Sequence, residues 1–173
     1  MNPRLREATP DDCALLVDLM SEFYAESGYP LDRRRAEVAF SELLTDRELG
    51  QVWLMLAEPG PVGYVVLTLG YSLEYGGRDA FVDDLFIQSD FRGRGLGKLA
   101  MEEVRAACAE RGVRALHLEV ARDNAAAHSL YRRAGFVDTD RQLLTLRLAD
   151  PTHLHRNPAS WQAGAEDQRS RRG

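Results

Sequence analysis

The sequence predicts a mixed α/β domain: a central sheet of about seven strands, mostly antiparallel, with flanking helices. Segments with strand-like and helix-like apolar spacing run in the order strand, two helices, three strands, helix, strand, helix and two final strands. The first two strands after the helical pair are joined by a four-residue Pro/Gly connection, so the sheet starts antiparallel. A length of 173 residues, 45% hydrophobic and 28% charged, suits one globular domain with a substantial core.

Each element has a local reason. Residues around Leu5 give a short strand. Thr9 or Asp11 can cap a helix whose apolar positions Leu15, Leu16, Leu19, Met20 and Phe23 continue to about Glu26. Gly28 and Pro30 break it, and a second helix spans 32–44 with Val38, Leu43 and Leu44 as apolar contacts. Strands follow at 51–57 and 62–69 around Glu58, Pro59, Gly60 and Pro61. A longer loop at 70–78 precedes a strand at 80–87. Leu96, Leu99, Ala100, Val104, Ala107 and Cys108 mark one face of a helix ended by Gly112. A strand at 115–120, a helix at 124–134 stopped by Gly135, and strands at 136–137 and 143–148 complete the domain, 1–149. Residues 150–173 are polar and aperiodic, and read as a tail.

Composition narrows the function. A net charge of −5 argues against nucleic acid as a partner. Residues 1–6 lead into polar and acidic positions, and no run approaches 18 apolar residues, which predicts neither signal peptide nor membrane span, hence a cytoplasmic protein. Cys13 and Cys108 lie in helical segments among apolar neighbours, so they read as small buried thiols with no disulfide and no metal. His117, His128, His153 and His155 lack metal-ligand spacing and read as non-catalytic.

The most informative segment is Arg92-Gly93-Arg94-Gly95-Leu96-Gly97-Lys98, between a strand and a helix. Alternate glycines bare the backbone and permit positive φ, so several N–H groups can converge on an anion at the helix N-terminus. Arg92, Arg94 and Lys98, the only lysine in the chain, add charge there. A Walker-type P-loop fails, because Arg92 stands where the first glycine belongs and Leu99 where Ser or Thr belongs. Gly95, Gly97 and Ala100 do fit G-x-G-x-x-A, with Glu119 at the end of the next strand as a ribose-binding acid. Against that dinucleotide reading, residues 88–92 intervene between strand and glycine, and three strands precede the motif.

The third reading is acyl-CoA. Asp-Asp-Leu-Phe-Ile at 83–87 followed by Arg92, Gly95 and Gly97 in the spacing R/Q-x-x-G-x-G/A resembles the signature of the GNAT N-acetyltransferases, as do Asn124, Tyr131 and the Gly135-Phe136 pair. The resemblance spans about residues 4–148 and lies nearest to members acting on small amines such as polyamines. It implies the acyl-CoA N-acyltransferase fold, with acetyl-CoA as cosubstrate and no metal. It also implies pyrophosphate on Arg92 to Lys98, and pantetheine pairing with the backbone of Leu85, Phe86 and Ile87. Asn124 and Tyr131 are seven residues apart on one helix face. By the resemblance Asn124 meets the pantetheine, and Tyr131 donates a proton to the departing thiolate, as a phenol of pKa about 10 can. An alkylammonium of pKa about 10.4 must give up a proton before it attacks, at a cost of about 4 kcal/mol at neutral pH. The resemblance favours Asp83 as base, with Asp84 as rival; ordinary strand alternation would point the two to opposite faces.

Tyr24, Glu26, Glu74 and Tyr75 are the candidate acceptor-binding residues, acids and aromatics being suited to a cationic amine. The reading is therefore an acetyl-CoA-dependent N-acetyltransferase with direct transfer to a primary amine in a ternary complex. A catalytically inactive acyl-CoA-binding or sensing module is the alternative. A homodimer is expected from the resemblance alone, with neither nucleic acid nor membrane as partner.

Overall fold

The computed structural model describes residues 4–146 and 148. The chain divides into two units, Met1–Val137 and Asp138–Gly173. In the first unit one sheet runs in the order β1 (Arg4–Glu7), β2 (Gly50–Ala57), β3 (Gly60–Ser72), β4 (Gly77–Ile87) and β5 (Ala115–Leu118). The first four strands are antiparallel in succession, and β5 lies parallel to β4. The helices are α1 (Cys13–Ser27), α2 (Arg33–Thr45), α3 (Leu96–Glu110) and α4 (Ala125–Arg133).

Strand alternation sends side chains to two cores. Val52, Leu54, Tyr64, Val66 and Phe86 pack on Leu16, Val17 and Leu19 of α1 and Ala36 and Phe40 of α2. Trp53, Met55, Val65, Leu67, Ala80 and Val82 pack on Leu96, Ala100, Met101, Val104 and Ala107 of α3. The sheet is thus covered on both faces, which is why β3 reads as a nearly continuous apolar run.

Local chemistry sets the helix ends. Asp12 ends a 3-10 turn ahead of α1; its carboxylate accepts from both guanidinium nitrogens of Arg6 at 2.8 Å and from the Thr9 N–H at 2.8 Å. Gly28, at φ 73°, closes α1, and the Tyr29 N–H reaches the Tyr24 carbonyl at 2.9 Å. Asp32 caps α2 by accepting from the Arg35 N–H at 3.1 Å. On α2 the buried pair is Ala36 and Phe40, and Val38 faces solvent.

Three expectations need correction. The 70–78 loop is instead the end of a hairpin: Gly70, Tyr71 and Ser72 pair with Asp79, Arg78 and Gly77 around a turn at 73–76. Glycines at 70, 76 and 77 hid the ladder, although a strand at a sheet end tolerates them. Five strands are present among the described residues, because 136–137 and the described part of 143–148 are not strands. Alternation there gives the capacity to pair, and a strand exists only where another edge supplies the partner; Leu143, Leu144, Leu146 and Leu148 are exposed. Third, the strand at 115–120 stops at Leu118. The proposed tail, 150–173, and with it His153 and His155, lies outside the described residues.

Candidate active site

Strand β4 departs from regularity twice, and both departures build the site. Val66 pairs with Asp84 but Leu67 pairs with Val82, so Asp83 is an extra residue, a β-bulge. Without it Val82 and Phe86 would share a face; with it Val82 joins the α3 core and Phe86 the α1 core. The second departure is on the other edge. Pairing of β4 with β5 ends at Val82 with Leu118, so, among the described residues, 84–87 have β3 as their one strand partner, and their other backbone edge, on which the Ile87 carbonyl accepts from Arg92, opens as a splay.

The bulge also changes the relation between the two carboxylates. Asp84 accepts from the Tyr64 hydroxyl at 2.9 Å, deep on the α1 side. Burial pushes its carboxyl up to about 6, against the Tyr64 hydrogen bond, which lowers it, while the charge of Asp83 adds to the rise. Desolvation also raises Asp83. Both charges, after burial itself, raise the phenols of Tyr24 and Tyr64. The bulge interrupts the alternation on which the expectation of opposite faces rests, and the charges of both acids reach the same two tyrosines. Tyr64 was missed by sequence reasoning. A fully buried tyrosine in a strand needs a hydroxyl partner, which was the available signal.

Beyond β4 the chain makes a 3-10 turn, Ser89–Phe91, and enters the glycine segment. Gly93 and Gly95 sit at φ 74° and 87°, a region that side chains rarely adopt. Gly95 is the N-cap of α3, whose first N–H groups lack helical partners and open beside the β4 splay. Gly97 has a different role: a Cβ there would come within 2.9 Å of Leu130 Cδ2, so its bareness leaves room for the end of that side chain. Arg94 lies over the Phe91 ring at 5.2 Å, and Lys98, well exposed, is 3.6 Å from Glu102. The Arg92 side chain folds back on β4: its Nε donates to the Ile87 carbonyl at 2.7 Å and its guanidinium pairs with Glu26.

Asn124 caps α4, its Oδ1 accepting from the Ala127 N–H at 3.0 Å. Tyr131 is half-buried against Phe136, ring centroids 5.8 Å apart, and desolvation raises its phenol. Of the acceptor candidates, Tyr24 joins Asp83, Asp84 and Tyr64, whereas Glu26 is engaged by Arg92. Glu74 and Tyr75 sit in the β3–β4 turn, and Tyr75 lies 5.4 Å from His117, which is paired with Asp79 at 3.7 Å. Cys13 and Cys108 are both free, Cys13 donating to the Glu37 carbonyl and Cys108 buried near the far end of α3. Among the described residues no cluster of three His, Cys, Asp or Glu could hold a metal ion, and no helix is long and apolar enough to cross a membrane.

A strand edge with backbone groups left over for main-chain pairing, running into a glycine-rich helix start, has the form that a long cosubstrate with a phosphate group and an amide-bearing arm would fit. Comparison with known proteins points to the same chemistry. The family model described as Acetyltransferase (GNAT) family matches residues 14–136. The aminoglycoside N(6')-acetyltransferase type 1 of Stenotrophomonas maltophilia is 27% identical over 143 residues, 80% of this chain and 89% of its own. The thialysine N-epsilon-acetyltransferase of Bos taurus is 30% identical over 147 residues, 78% of this chain and 84% of its own. Among solved structures, an integron cassette protein from the mobile metagenome of Cole Harbour Salt Marsh is 45% identical, with a TM-score of 0.77 over 86% of this chain and 93% of that one.

Proposed function

The chain belongs to the acetyltransferase (GNAT) family and is an acetyl-CoA-dependent N-acetyltransferase, and from that premise we propose that it moves the acetyl group directly onto a primary amine in a ternary complex. The carrying observation is the half-paired β4: acids at the bulge, a backbone edge beyond Val82 with no second strand partner among the described residues, and the glycine turn after it. Acetyl-CoA supplies the activated acetyl thioester. The backbones of Leu85, Phe86 and Ile87 hold its arm, and the turn that follows Arg92, with Gly93, Arg94, Gly95, Leu96, Gly97 and Lys98, receives its pyrophosphate. Asn124 meets the arm from the start of α4. The two relatives named above act, by their names, on an aminoglycoside and on thialysine, both amines.

Asp83, the bulged and more open carboxylate, takes the proton of the incoming ammonium, directly or through water. Asp84, bonded to Tyr64, is its rival for that role. Tyr131 is protonated at neutral pH, as any phenol is and the more so for its burial, and it gives that proton to the leaving sulfur. No cysteine stands at the splay to form an acyl-enzyme: Cys13 is at the start of α1 and Cys108 near the end of α3. Tyr24 and the hairpin residues Glu74 and Tyr75 border the acceptor side. CoA release measured against polyamines, aminoglycosides, amino acids and peptide amines tests the reading, and acetyl-CoA binding without release on any acceptor would overturn it. With a working acceptor, Asp83→Asn removes the ascending limb of kcat/KM against pH; a limb lost only in Asp84→Asn transfers the role to Asp84.

A further inference from the structure

We propose that Arg92, although it stands in the anion-binding motif, is a positioning residue that holds the acceptor wall in place. Its side chain does not extend into the glycine turn. Nε donates to the Ile87 carbonyl at 2.7 Å, Nη2 donates to Glu26 Oε2 at 2.5 Å, and the guanidinium lies 5.9 Å from the Phe86 ring centroid. An arginine fork that spans a main-chain carbonyl and a carboxylate fixes two elements relative to each other, here the end of β4 and the last turn of α1. A second tie runs in parallel, from Gln88 Nε2 to Glu22 Oε2 at 2.8 Å. A third is apolar: Phe23 stacks on Phe86 at 5.5 Å.

Glu22 and Glu26 are four residues apart and therefore one above the other on α1. Tyr24 lies between them in sequence, and it is the α1 residue whose phenol feels Asp83 and Asp84. The two carboxylates thus act as anchors for the turn that presents Tyr24 to the acids, rather than as direct ligands of an acceptor ammonium. The Arg92–Glu26 pair is about half exposed on both sides, so orientation is its main contribution; an ion pair of that exposure adds little to global stability.

The inference rests on the proposed amine transfer for its kinetic arm but not for its structural arm. With the amine that the acceptor panel identifies, Arg92→Gln and Glu26→Gln each raise the acceptor KM by about five- to tenfold, the KM for acetyl-CoA staying within about twofold. The double variant is no worse than the more affected single one, because both break one tie. A raised acetyl-CoA KM with an unchanged acceptor KM in Arg92→Gln would show a pyrophosphate ligand and overturn the proposal. Independently of turnover, amide hydrogen exchange across 22–28 accelerates in Arg92→Gln and in Gln88→Ala, with acetyl-CoA affinity by calorimetry unchanged. Exchange identical to wild type in both variants would overturn it even if no amine in the panel were acetylated.

Discussion

Replacing Asp84 by Asn separates what this carboxylate costs the fold from what it does for the site. In the folded protein its carboxyl titrates at about 6, against an ordinary value of 3.8, chiefly because it is buried. A folded-state pKa raised above the unfolded one means that the folded state holds the proton more tightly. That contribution is fully present below 3.8 and is lost as pH rises through 6. The gap corresponds to about 3 kcal/mol at 1.36 kcal/mol per tenfold. Asn is neutral at every pH, nearly isosteric, and its carbonyl still accepts from the Tyr64 hydroxyl. The variant is therefore about 3 kcal/mol more stable than wild type at pH 8, and the advantage vanishes near pH 4. For a chain of this size that is roughly a 6–12 °C rise in Tm. Urea unfolding of both proteins at pH 4, 6 and 8 gives the difference directly, and titrating groups that do not interact with Asp84 cancel in it. A difference that is constant with pH would refute the burial argument, as would a destabilised variant at pH 8.

Three further outcomes follow from the geometry. Tyr131→Phe lowers kcat on the order of 100-fold with little change in the acetyl-CoA KM, in steady-state assays of CoA release, because the hydroxyl acts only on the leaving thiolate. Gly95→Ala, with no atom within 4 Å of the new methyl but φ at 87°, loses about 1–2 kcal/mol by conformation alone; Gly97→Ala instead presses on Leu130. Thermal unfolding with and without acetyl-CoA distinguishes them: Gly95→Ala reduces the ligand-induced shift as well as the Tm, whereas Gly97→Ala mainly lowers the Tm. Arg6 holds the Asp12 carboxyl well below the ordinary carboxylate range, through its two hydrogen bonds first, so Asp12 contributes stability above its unfolded pKa that is lost as pH falls. Arg6→Gln removes about 1 kcal/mol of it at neutral pH after allowance for the exposed guanidinium, and less than half of that at pH 2, measured by urea unfolding at the two pH values.

The helices and the four antiparallel strands were legible because burial writes a period into sequence. Leu16, Leu19 and Phe23 recur at helical spacing, and Gly28 and Gly112 stand where helices must stop. The bend of the glycine turn was legible for a related reason, since alternate glycines mark positions of positive φ, which Gly93 and Gly95 adopt. The third glycine shows the limit of that reasoning: Gly97 has the motif's spacing, yet its bareness serves the packing of Leu130. The long hairpin end was illegible because the residues of its turn face solvent and so carry no burial pattern. Leu143 and Leu144 show the opposite failure, with an apolar strand pattern in residues that are exposed and unpaired within the described chain.

The bulge at Asp83 is the deeper case. A bulge inserts one residue into a strand, and nothing in Phe81-Val82-Asp83-Asp84-Leu85 distinguishes an inserted residue from an alternating one. Period-two reasoning must therefore assign Val82, Asp84 and Phe86 to one face. The physical cue lies in the neighbours: an unshifted register would put Val82 and Phe86 on the same core, whereas each has its own apolar layer, α3 for one and α1 for the other. The switch of face lets one strand serve both cores, and it happens where two acids stand. An irregularity needed to complete the packing thus also gathers Asp83, Asp84, Tyr64 and Tyr24 beside the splay. If the two functions share that one residue, deleting it should damage both. Removal of Asp83, which restores a continuous ladder, would send Asp84 to the α3 side or Val82 to the α1 side, and either move breaks a core. Substitution to Asn keeps the extra residue and therefore the fold. A deletion that folded normally would show that packing does not require the bulge, and the shared-function argument would fall.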